Sequence, residues 1–327
     1  MIVVTGATGL VGNVLLRNLN AAGVPGLRAV VRRGSSTNAI AGLDVEIVEG
    51  DILDRESLVR AFRGAEVVYH VGGMVSMSAR KCDEMRRTNV EGTRTVLAAC
   101  REAGVGRLVY TSSVHAFVKP PQGTCLSETA AIDPGRTCAA YDHSKAEATL
   151  LVLEAAREGL DAVVVHPSGI IGPYDYRPSL TGATILACAR GRLRASVRGA
   201  YDFVDVRDVA QGLMAAAERG RSGEGYLLTG HTITVADLLG AIARASGTPA
   251  PRLCLPLGFT KRVSFLIPVY YKLMREQPLF TRYSLDVISS NCSMTSQKAG
   301  RELGFRARPF QETIEDTVNW FREQGML

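Results

Sequence analysis

A tyrosine and a lysine stand four positions apart in the segment YDHSK, residues 141–145. On a helix, residues at this spacing share one face, so Tyr141 and Lys145 would be close enough to influence each other. A phenol has a pKa near 10 and is a poor acid or base at neutral pH unless its anion is stabilised, which a neighbouring ammonium can do. The pair therefore predicts a site in which Tyr141 exchanges a proton with a reactant.

Two serines follow a predicted strand in YTSSVHAF, residues 110–117. A hydroxyl of Ser112 or Ser113 at that strand end can orient a carbonyl oxygen and stabilise the charge that develops on it. His115 lies two residues after Ser113, and it either faces the substrate or has a structural role.

The segment TGATGLVG places Gly6, Gly9 and Gly12 three residues apart, between a predicted strand and a predicted helix. Glycines let the backbone turn sharply and approach a pyrophosphate, which then meets the unpaired N–H groups of the helix N-terminus. In this context the pattern favours dinucleotide binding over a purely structural turn. No group of residues with metal-ligand spacing is found, the five histidines included.

The second strand ends in VVRRG, where NAD-binding folds carry an acidic residue for the ribose hydroxyl. Arg32 and Arg33 can instead bind a 2′-phosphate, so we expect NADP(H) in preference to NAD(H); the alternative is a solvated strand end. In GDILD, Asp51 can accept a hydrogen bond from the adenine amino group, or it can cap the helix that starts near Asp54.

These residues need a scaffold, and the chain predicts a doubly wound parallel α/β sheet of the Rossmann type. Runs of β-branched residues without alternation indicate strands buried on both faces. They lie at 2–5, 28–32, 45–49, 66–70, 107–111 and 161–166. Helical patterns at about 10–22, 54–63, 82–103 and 139–158 are each followed by a glycine suited to end a helix: Gly23, Gly64, Gly104 and Gly159.

The rhythm changes after residue 170. We predict a dinucleotide-binding domain over 1–230 and a smaller, mainly helical substrate-capping region over 231–327, to which 171–200 contributes. Beyond about 231 we expect helices separated by proline-bearing loops rather than further alternation of strands and helices. Ligands of such sheets bind at the carboxyl ends of the strands, beneath this region.

Composition narrows the classes of partner. The net charge of +6 and pI near 9.0 permit nucleic acid, but the basic residues are dispersed and no nucleic-acid motif occurs. Seven cysteines without a C-x-x-C pair predict neither a disulfide framework nor a zinc site and suggest a cytoplasmic location. No leader and no membrane span is expected. The segment 259–274 is interpreted as an amphipathic pocket wall or a dimer contact; the alternative is attachment to a membrane surface.

Eight segments occur in the order and spacing of one family: TGATGLVG, GDILD, TNVEGT, YTSSVHAF, YDHSK, HPSGIIGP, FVDVRDVA and SQKAGRELGF. Nearly the whole chain thus resembles the extended short-chain dehydrogenase/reductases (the NAD-dependent epimerase/dehydratase superfamily). It is most similar to the branch of dihydroflavonol reductases and 3β-hydroxysteroid dehydrogenases. The resemblance implies Tyr141 as general acid/base, Lys145 as its activator and ribose anchor, and Ser113 as the third catalytic residue.

The resemblance also implies a cofactor-contact set and a homodimer formed through the helices at 82–103 and 139–158. Asn89 would support the site from behind. The cofactor contacts it implies are Gly6, Thr8, Gly9, Leu10, Val11, Gly12, Arg32, Arg33, Asp51, Ile52, Val71, Tyr141, Lys145, Pro167 and Ile170.

Three departures from the family pattern bear on function. Gly72 and Gly73 replace the usual pair of alanines and would loosen the wall beside the cofactor, and His166 replaces the usual arginine. Gly169 stands where sugar-nucleotide members carry asparagine, which weakens such a substrate.

The leading hypothesis is therefore an NADP(H)-dependent carbonyl reductase or alcohol dehydrogenase; an NAD-dependent nucleotide-sugar epimerase or dehydratase and a non-catalytic NADP-binding sensor or assembly protein are the alternatives. Apolar residues in the irregular segments suggest a hydrophobic or aromatic carbonyl substrate: Met74, Met77, Phe117, Phe265 and Leu266.

An arginine series in the capping region either binds an anion or forms a solvated face: Arg190, Arg192, Arg194 and Arg198. Trp320 and Phe321 are expected to pack a terminal helix, and Cys100 to lie in the core.

Overall fold

The protein is described from a computed structural model that covers residues 1–75, 81–137, 139–193, 195–251, 253–263 and 282–327. A seven-stranded parallel sheet forms its centre. Its strands are β1 (Ile2–Thr5), β2 (Leu27–Val31), β3 (Glu46–Glu49), β4 (Val67–His70), β5 (Arg107–Thr111), β6 (Ala162–Pro167) and β10 (Gly225–Leu228). Their order in the sheet is β10-β6-β5-β4-β1-β2-β3.

The predicted fold class is confirmed, and all six predicted strands are present within one or two residues of their expected bounds. Strands β6 and β5 are buried along almost their whole length, as expected of a sheet that is covered on both faces. The seventh strand, Gly225–Leu228, was not predicted. Strands β1, β4, β5 and β6 are neighbours, so their carboxyl ends meet at one edge.

Helices cover both faces of the sheet. They are α1 (Leu10–Ala21), α2 (Arg55–Phe62), α3 (Cys82–Arg86), α4 (Gly92–Ala103), α5 (Ala140–Arg157) and α7 (Val206–Arg219). One core joins α1 and α7 to one face, and a second core joins α2, α4 and α5 to the other. The predicted helix-ending glycines are confirmed: Gly104 caps α4 in the left-handed conformation, with φ 65°.

The capping elements have a core of their own. It joins α6 (Leu180–Ala189), α8 (Val235–Ser246) and the helix Phe310–Glu323, whose Trp320 and Phe321 are buried as expected. Two further helical segments are α9 (Leu257–Val263) and Arg282–Ile288, and a third spans Gln297–Leu303.

The expectation that the alternation of strands and helices stops at about residue 231 is wrong, because short strands still alternate with helices there. Strand β9 (Ala200–Asp205) pairs with both β7 (Gly169–Ile171) and β11 (His231–Thr234). Strand β12 (Leu253–Leu255) pairs with β8 (Ala195–Val197). These strands are three to six residues long and take partners far away in the sequence, so local patterns do not identify them. Strand β11 begins directly after the boundary expected at 230/231 and pairs with β9, which lies before it.

Residues 264–274 of the segment 259–274, which was interpreted as a pocket wall or dimer contact, lie outside the described residues, as do Met77 and Arg194. Phe265 and Leu266 belong to that part of the segment. Across the part of the chain that is described, no helix has both the length and the apolar composition that crossing a membrane requires.

Candidate active site

The glycine turn after β1 is too tight for side chains at two of its positions. A β-carbon on Gly6, whose φ is 70°, would lie 2.6 Å from the Gly72 backbone, and one on Gly12 would lie 2.2 Å from the Gly6 carbonyl oxygen. Helix α1 then starts at Leu10 after Gly9, which offers no side-chain cap. Its first N–H groups thus remain for an anion, as a bound pyrophosphate requires. Thr8, Leu10 and Val11 are partly buried in this turn.

Arg32 and Arg33 are exposed at the end of β2 and line a polar crevice of about 530 Å³. Asp51 lines the same crevice. Its carboxylate accepts from the backbone N–H of Leu53 at 2.9 Å, whereas Asp54 caps α2 by accepting from Ser57. The helix-capping alternative for Asp51 is therefore wrong, because the next aspartate fills that position.

Two further predicted contacts flank the cradle. Ile52 is partly buried and lies against Gly92 of α4, where a β-carbon would come within 2.9 Å of its side chain. Val71 follows β4, and its N–H donates to the Thr5 carbonyl at 3.3 Å. The residues expected to hold the dinucleotide thus surround the carboxyl ends of β1, β2 and β4, and they fit the group.

The two serines after β5 have different partners. Ser113 accepts from the backbone N–H of His115 at 3.2 Å, and its hydroxyl lies near enough to the Tyr141 side chain to act on the pKa of the phenol in the lowering direction. Ser112 instead bonds the Thr149 hydroxyl at 2.6 Å, inside the packing of α5. Ser113 is therefore the serine placed beside Tyr141, and Ser112 ties the strand to the helix.

Tyr141 lies in the first turn of α5, partly buried. Burial raises its pKa to about 12; the hydrogen bond with Ser113 acts in the lowering direction and the neighbouring Asp142 in the raising one. The expected lowering by Lys145 is not found in the protein alone, because removal of the phenol from water outweighs the stabilisation of its anion.

Lys145 lies one helical turn further along α5, as the i, i+4 spacing predicts, and is buried. Its ammonium donates to the Thr111 carbonyl at 2.9 Å and lies 5.2 Å from the centre of the Tyr110 ring. Burial lowers the pKa of Lys145 to about 8. The Thr111 carbonyl at the end of β5 thus fixes the lysine, a contact that sequence patterns do not reveal.

Asn89 supports the site from behind, through a single turn of π-helix, Arg87–Glu91, between α3 and α4. Its side chain is buried, and it donates to the Met74 carbonyl at 2.9 Å and to the Ser144 hydroxyl at 3.0 Å. Its oxygen accepts from the Met74 N–H at 2.7 Å. The segment after β4 is thereby fixed to the catalytic helix. Such π-turns often occur at functional sites.

Pro167 is buried at the end of β6, and Ile170 is partly buried in β7. The departure at His166 has a clear role, since its Nδ1 bonds the Ser113 carbonyl at 3.2 Å and its ring packs on Phe117 at 4.6 Å. Phe117 is itself buried, which makes it a packing residue rather than a free pocket wall. His166 therefore positions the strand end that carries Ser113.

His115 contacts the Tyr141 ring edge-on, with ring centres 5.8 Å apart. Its side chain bonds Tyr201 and Tyr283, and Asp142 lies close to it. None of these three partners was predicted as a site residue. Only Asp142, next to Tyr141 in the sequence, offered a local signal.

The arginine series of the capping region lies on the surface. Arg190, Arg192 and Arg198 are exposed, which fits both a solvated face and an anion-binding surface. Cys100 is fully buried in the core, which raises the pKa of its thiol. Among the described residues, no group of three or more histidine, cysteine, aspartate or glutamate side chains has the arrangement to hold a metal ion.

Comparison with known proteins decides the family. Residues 2–229 match the model of the NAD dependent epimerase/dehydratase family. The chain belongs to this family. The match covers the central sheet together with the glycine turn and the Ser113, Tyr141 and Lys145 positions, and it confirms the resemblance. Its members are enzymes that bind an NAD(P) nucleotide, so the same holds for this protein.

The chain is similar to several known proteins over almost its whole length. It is 39% identical over 326 residues to "Sterol demethylase protein B" of Methylococcus capsulatus, covering 99% of both chains. It is 32% identical over 328 residues to a "Putative dihydroflavonol 4-reductase" of Synechocystis, covering 99% of this chain and 95% of the relative. The crystal structure of gox2253 is similar with a TM-score of 0.89 and 34% identity, covering 100% of this chain and 99% of that one. These relatives support an oxidoreductase.

Proposed function

We propose that the protein is an NADP(H)-dependent oxidoreductase that interconverts a ketone or aldehyde and the corresponding alcohol. One observation carries the proposal: Tyr141, Ser113 and Lys145 lie close together at the carboxyl edge of the sheet. They lie next to a glycine turn whose backbone leaves no room for β-carbons at Gly6 and Gly12. A proton donor and an oxygen-orienting hydroxyl beside a nucleotide cradle are the groups that carbonyl reduction requires.

Each residue then has one task. NADPH supplies the hydride when it is bound. Ser113 donates a hydrogen bond to the carbonyl oxygen, and Tyr141 transfers its phenolic proton to that oxygen as the alcohol forms. Lys145, held by the Thr111 carbonyl, presents its ammonium to the ribose hydroxyls and stabilises the phenolate that remains. In the opposite direction Tyr141 accepts the proton.

The preference for NADP(H) rests on charge. Arg32 and Arg33 lie at the end of β2 in the crevice where the adenosine ribose is expected, and Arg60 lines the crevice as well. Guanidinium groups bind phosphate through paired, charge-assisted hydrogen bonds. No carboxylate follows directly after β2 to bind a free 2′-hydroxyl.

For the substrate we propose an apolar or aromatic carbonyl compound. We also propose that residues 231–327, with 171–200, form the cap over it. A relative named sterol demethylase and one named dihydroflavonol reductase, each matched over almost the whole chain, support a bulky ring system. A homodimer through α4 and α5 belongs to the same proposal; Leu150 is exposed on α5. Light scattering after gel filtration tests it.

The decisive test measures NADPH oxidation with a panel of cyclic, aromatic and steroid ketones. Replacing Tyr141 by Phe should abolish turnover with any accepted ketone and leave NADPH binding nearly intact. Tyr176→Phe is the matched control, since its hydroxyl bonds Arg17 rather than the catalytic residues. A Tyr141→Phe protein with undiminished activity would refute the assignment of the proton donor.

Thermal unfolding with added ligands separates the other functions. Selective protection by NADPH is expected. Protection by UDP-glucose, together with NAD that co-purifies, would instead favour a nucleotide-sugar epimerase or dehydratase. Binding of NADPH without turnover of any carbonyl compound would favour a sensor or assembly protein.

A further inference from the structure

Outside the active site, one residue adopts a backbone conformation that its side chain disfavours. Tyr174, in the loop between β7 and α6, has a φ of 71° and is the only non-glycine residue with a positive φ in the described part of the chain. A bulky residue in the left-handed region is an outlier, and it persists only where its surroundings hold it. The groups that hold Tyr174 therefore indicate what it does.

Two side chains of α1 hold Tyr174. The guanidinium of Arg17 lies 4.7 Å from the centre of the Tyr174 ring, which is a cation–π distance. The buried amide of Asn13 donates to the Tyr174 carbonyl at 3.2 Å. The same amide donates to the carbonyls of Gly9 and Leu10, in the turn whose N–H groups are expected to bind the pyrophosphate. The strained residue is thus tied to the first turn of the nucleotide cradle.

Arg17 makes further contacts with neutral groups. Its Nη2 donates to the Ala39 carbonyl at 2.8 Å and to the Tyr176 hydroxyl at 3.1 Å. A guanidinium reaches such separate acceptors through its planar fork, which the point charge of a lysine does not reproduce. Ala39 belongs to the segment after β2 that begins with Arg32 and Arg33. Arg17 therefore joins α1, the expected 2′-phosphate side and the loop after β7.

The loop that carries Tyr174 joins the nicotinamide side of the site to the cap. Before it lie Pro167 and Ile170, the residues expected beside the nicotinamide, at the end of β6 and in β7. After it, Asp175 accepts from the Ser179 N–H at 2.8 Å, and the Ser179 hydroxyl caps α6. A shift of Tyr174 would therefore move both of its neighbours in the chain.

Tyr174 also contacts the terminal helix of the cap. Its ring centre lies 6.0 Å from that of Trp320, the single tryptophan of the chain. Trp320 is buried in the core that α6 and α8 share with the helix Phe310–Glu323. Contacts from the nucleotide cradle and from the cap thus meet at one residue.

We propose that Arg17 and Tyr174 are positioning residues, which set the cap relative to the nucleotide cradle and thereby determine the affinity for the carbonyl substrate. The proposal rests on the proposed function, because it concerns the cap over the same substrate. A bound pyrophosphate fixes the first turn of α1, and Asn13 and Arg17 then fix Tyr174 and the cap that it contacts. Neither positioning residue takes part in hydride or proton transfer. Because coupling between two sites is reciprocal, nucleotide and carbonyl substrate strengthen each other's binding.

Two substitutions separate positioning from a merely structural role. Tyr174→Gly removes the ring and adopts the positive φ without strain, and Arg17→Lys keeps the charge but loses the planar fork. NADPH oxidation is measured with cyclohexanone, acetophenone and a saturated 3-oxo steroid. For each ketone that the wild type reduces, both variants should raise KM by about 10-fold, within the usual range of coupling between sites, and leave kcat nearly unchanged.

Two conservative variants complete this test. Tyr174→Phe keeps the ring and should retain the wild-type KM. Tyr176→Phe is the matched control, because it removes one hydrogen bond of Arg17 and leaves the contact with the Tyr174 ring in place. A role in stability alone would change the melting temperature of Tyr174→Gly and leave its KM as it is.

The fluorescence of Trp320 tests the same contacts without a substrate. Addition of NADP⁺ should shift the emission of the wild type and of Tyr174→Phe, because the nucleotide acts on Trp320 through Tyr174. Tyr174→Gly and Arg17→Lys should still bind NADP⁺ in a calorimetric titration and show a smaller shift.

An unchanged KM in both variants, with the ketone still reduced, overturns the inference and leaves the proposed function intact. A loss in kcat in place of the rise in KM also overturns it, because the residues would then act on the chemical step. If no ketone is reduced, the proposed function fails, and the Trp320 shift alone decides the inference: equal shifts in the wild type and both variants overturn it. The Arg17 variant decides the matter if Tyr174→Gly does not fold.

Discussion

Replacing Lys145 by methionine is expected to abolish activity and yet stabilise the protein at neutral pH. The side chain is only 5% exposed, and burial lowers its pKa from 10.5 to about 8. At about 1.4 kcal/mol per pKa unit, this difference corresponds to roughly 3 kcal/mol that opposes folding. The lost hydrogen bond from the charged ammonium to the Thr111 carbonyl costs about 1.5–3 kcal/mol. The expected net gain is therefore at most about 1.5 kcal/mol, and methionine fills the space because it has a similar length.

The stability difference between Lys145→Met and the wild type depends on pH. The unfolded state binds the lysine proton more tightly than the folded state. The opposing energy is therefore fully present below a pH of about 8 and is relieved as the pH rises to 10.5. Wild-type stability should consequently increase over this range relative to that of Lys145→Met. The advantage of the variant should disappear by about pH 10.

Urea unfolding in the absence of cofactor, followed by the fluorescence of Trp320, measures the stability difference at neutral pH and its change with pH. Lys298→Met is the control: its ammonium pairs with Glu224 at 2.6 Å and donates to the Gly225 carbonyl, so its loss should destabilise the protein. A Lys145→Met protein that is less stable than wild type at neutral pH would refute the reasoning, as would an advantage that persists unchanged at high pH.

Two further predictions concern the cofactor. Gly12→Ala should weaken NADPH binding by at least about 100-fold. A β-carbon there would lie 2.2 Å from the Gly6 carbonyl oxygen and would displace the turn. The displaced turn would lose two or more N–H hydrogen bonds to the phosphates of the cofactor. Gly240→Ala is the control, because a β-carbon there would meet only the Arg244 guanidinium, at 3.5 Å. This variant should bind NADPH normally in the same calorimetric titration, and equal losses would contradict the steric argument. Arg32→Ala should weaken NADPH binding by about 10- to 100-fold and leave NADH unaffected; equal effects on both nucleotides would remove the arginine from the phosphate site.

The central sheet could be predicted because its signals are local. Runs such as 107–111 are apolar throughout, and each predicted helix is followed by a glycine that adopts a positive φ, as Gly104 does. The glycine turn, Tyr141 and Lys145 were equally accessible, since their spacing lies within one strand-to-helix connection or one helix. Positions that depend on a single element were thus predicted with the right neighbours.

What could not be predicted depends on distant contacts. Tyr201 and Tyr283 lie 86 and 168 positions from His115, and no periodicity relates them. Strands such as Ala195–Val197 exist because a partner more than 50 residues away pairs with them. The direction of the pKa change at Tyr141 was missed for a related reason. It depends on how much protein surrounds the phenol, which spacing along the chain does not give.

The two catalytic pKa changes bear on the order of events. Burial raises the pKa of Tyr141 to about 12 and lowers that of Lys145 to about 8, so the protein alone disfavours both charged forms. The hydrogen bond with Ser113 opposes this effect for Tyr141 but does not outweigh it. The positive charge of an oxidised nicotinamide would favour the phenolate further. We therefore expect Tyr141 to keep its proton until the nucleotide is bound. Alcohol oxidation, which needs the phenolate, is then limited to the cofactor-bound protein. For carbonyl reduction, the phenol is already in the protonated form that is required.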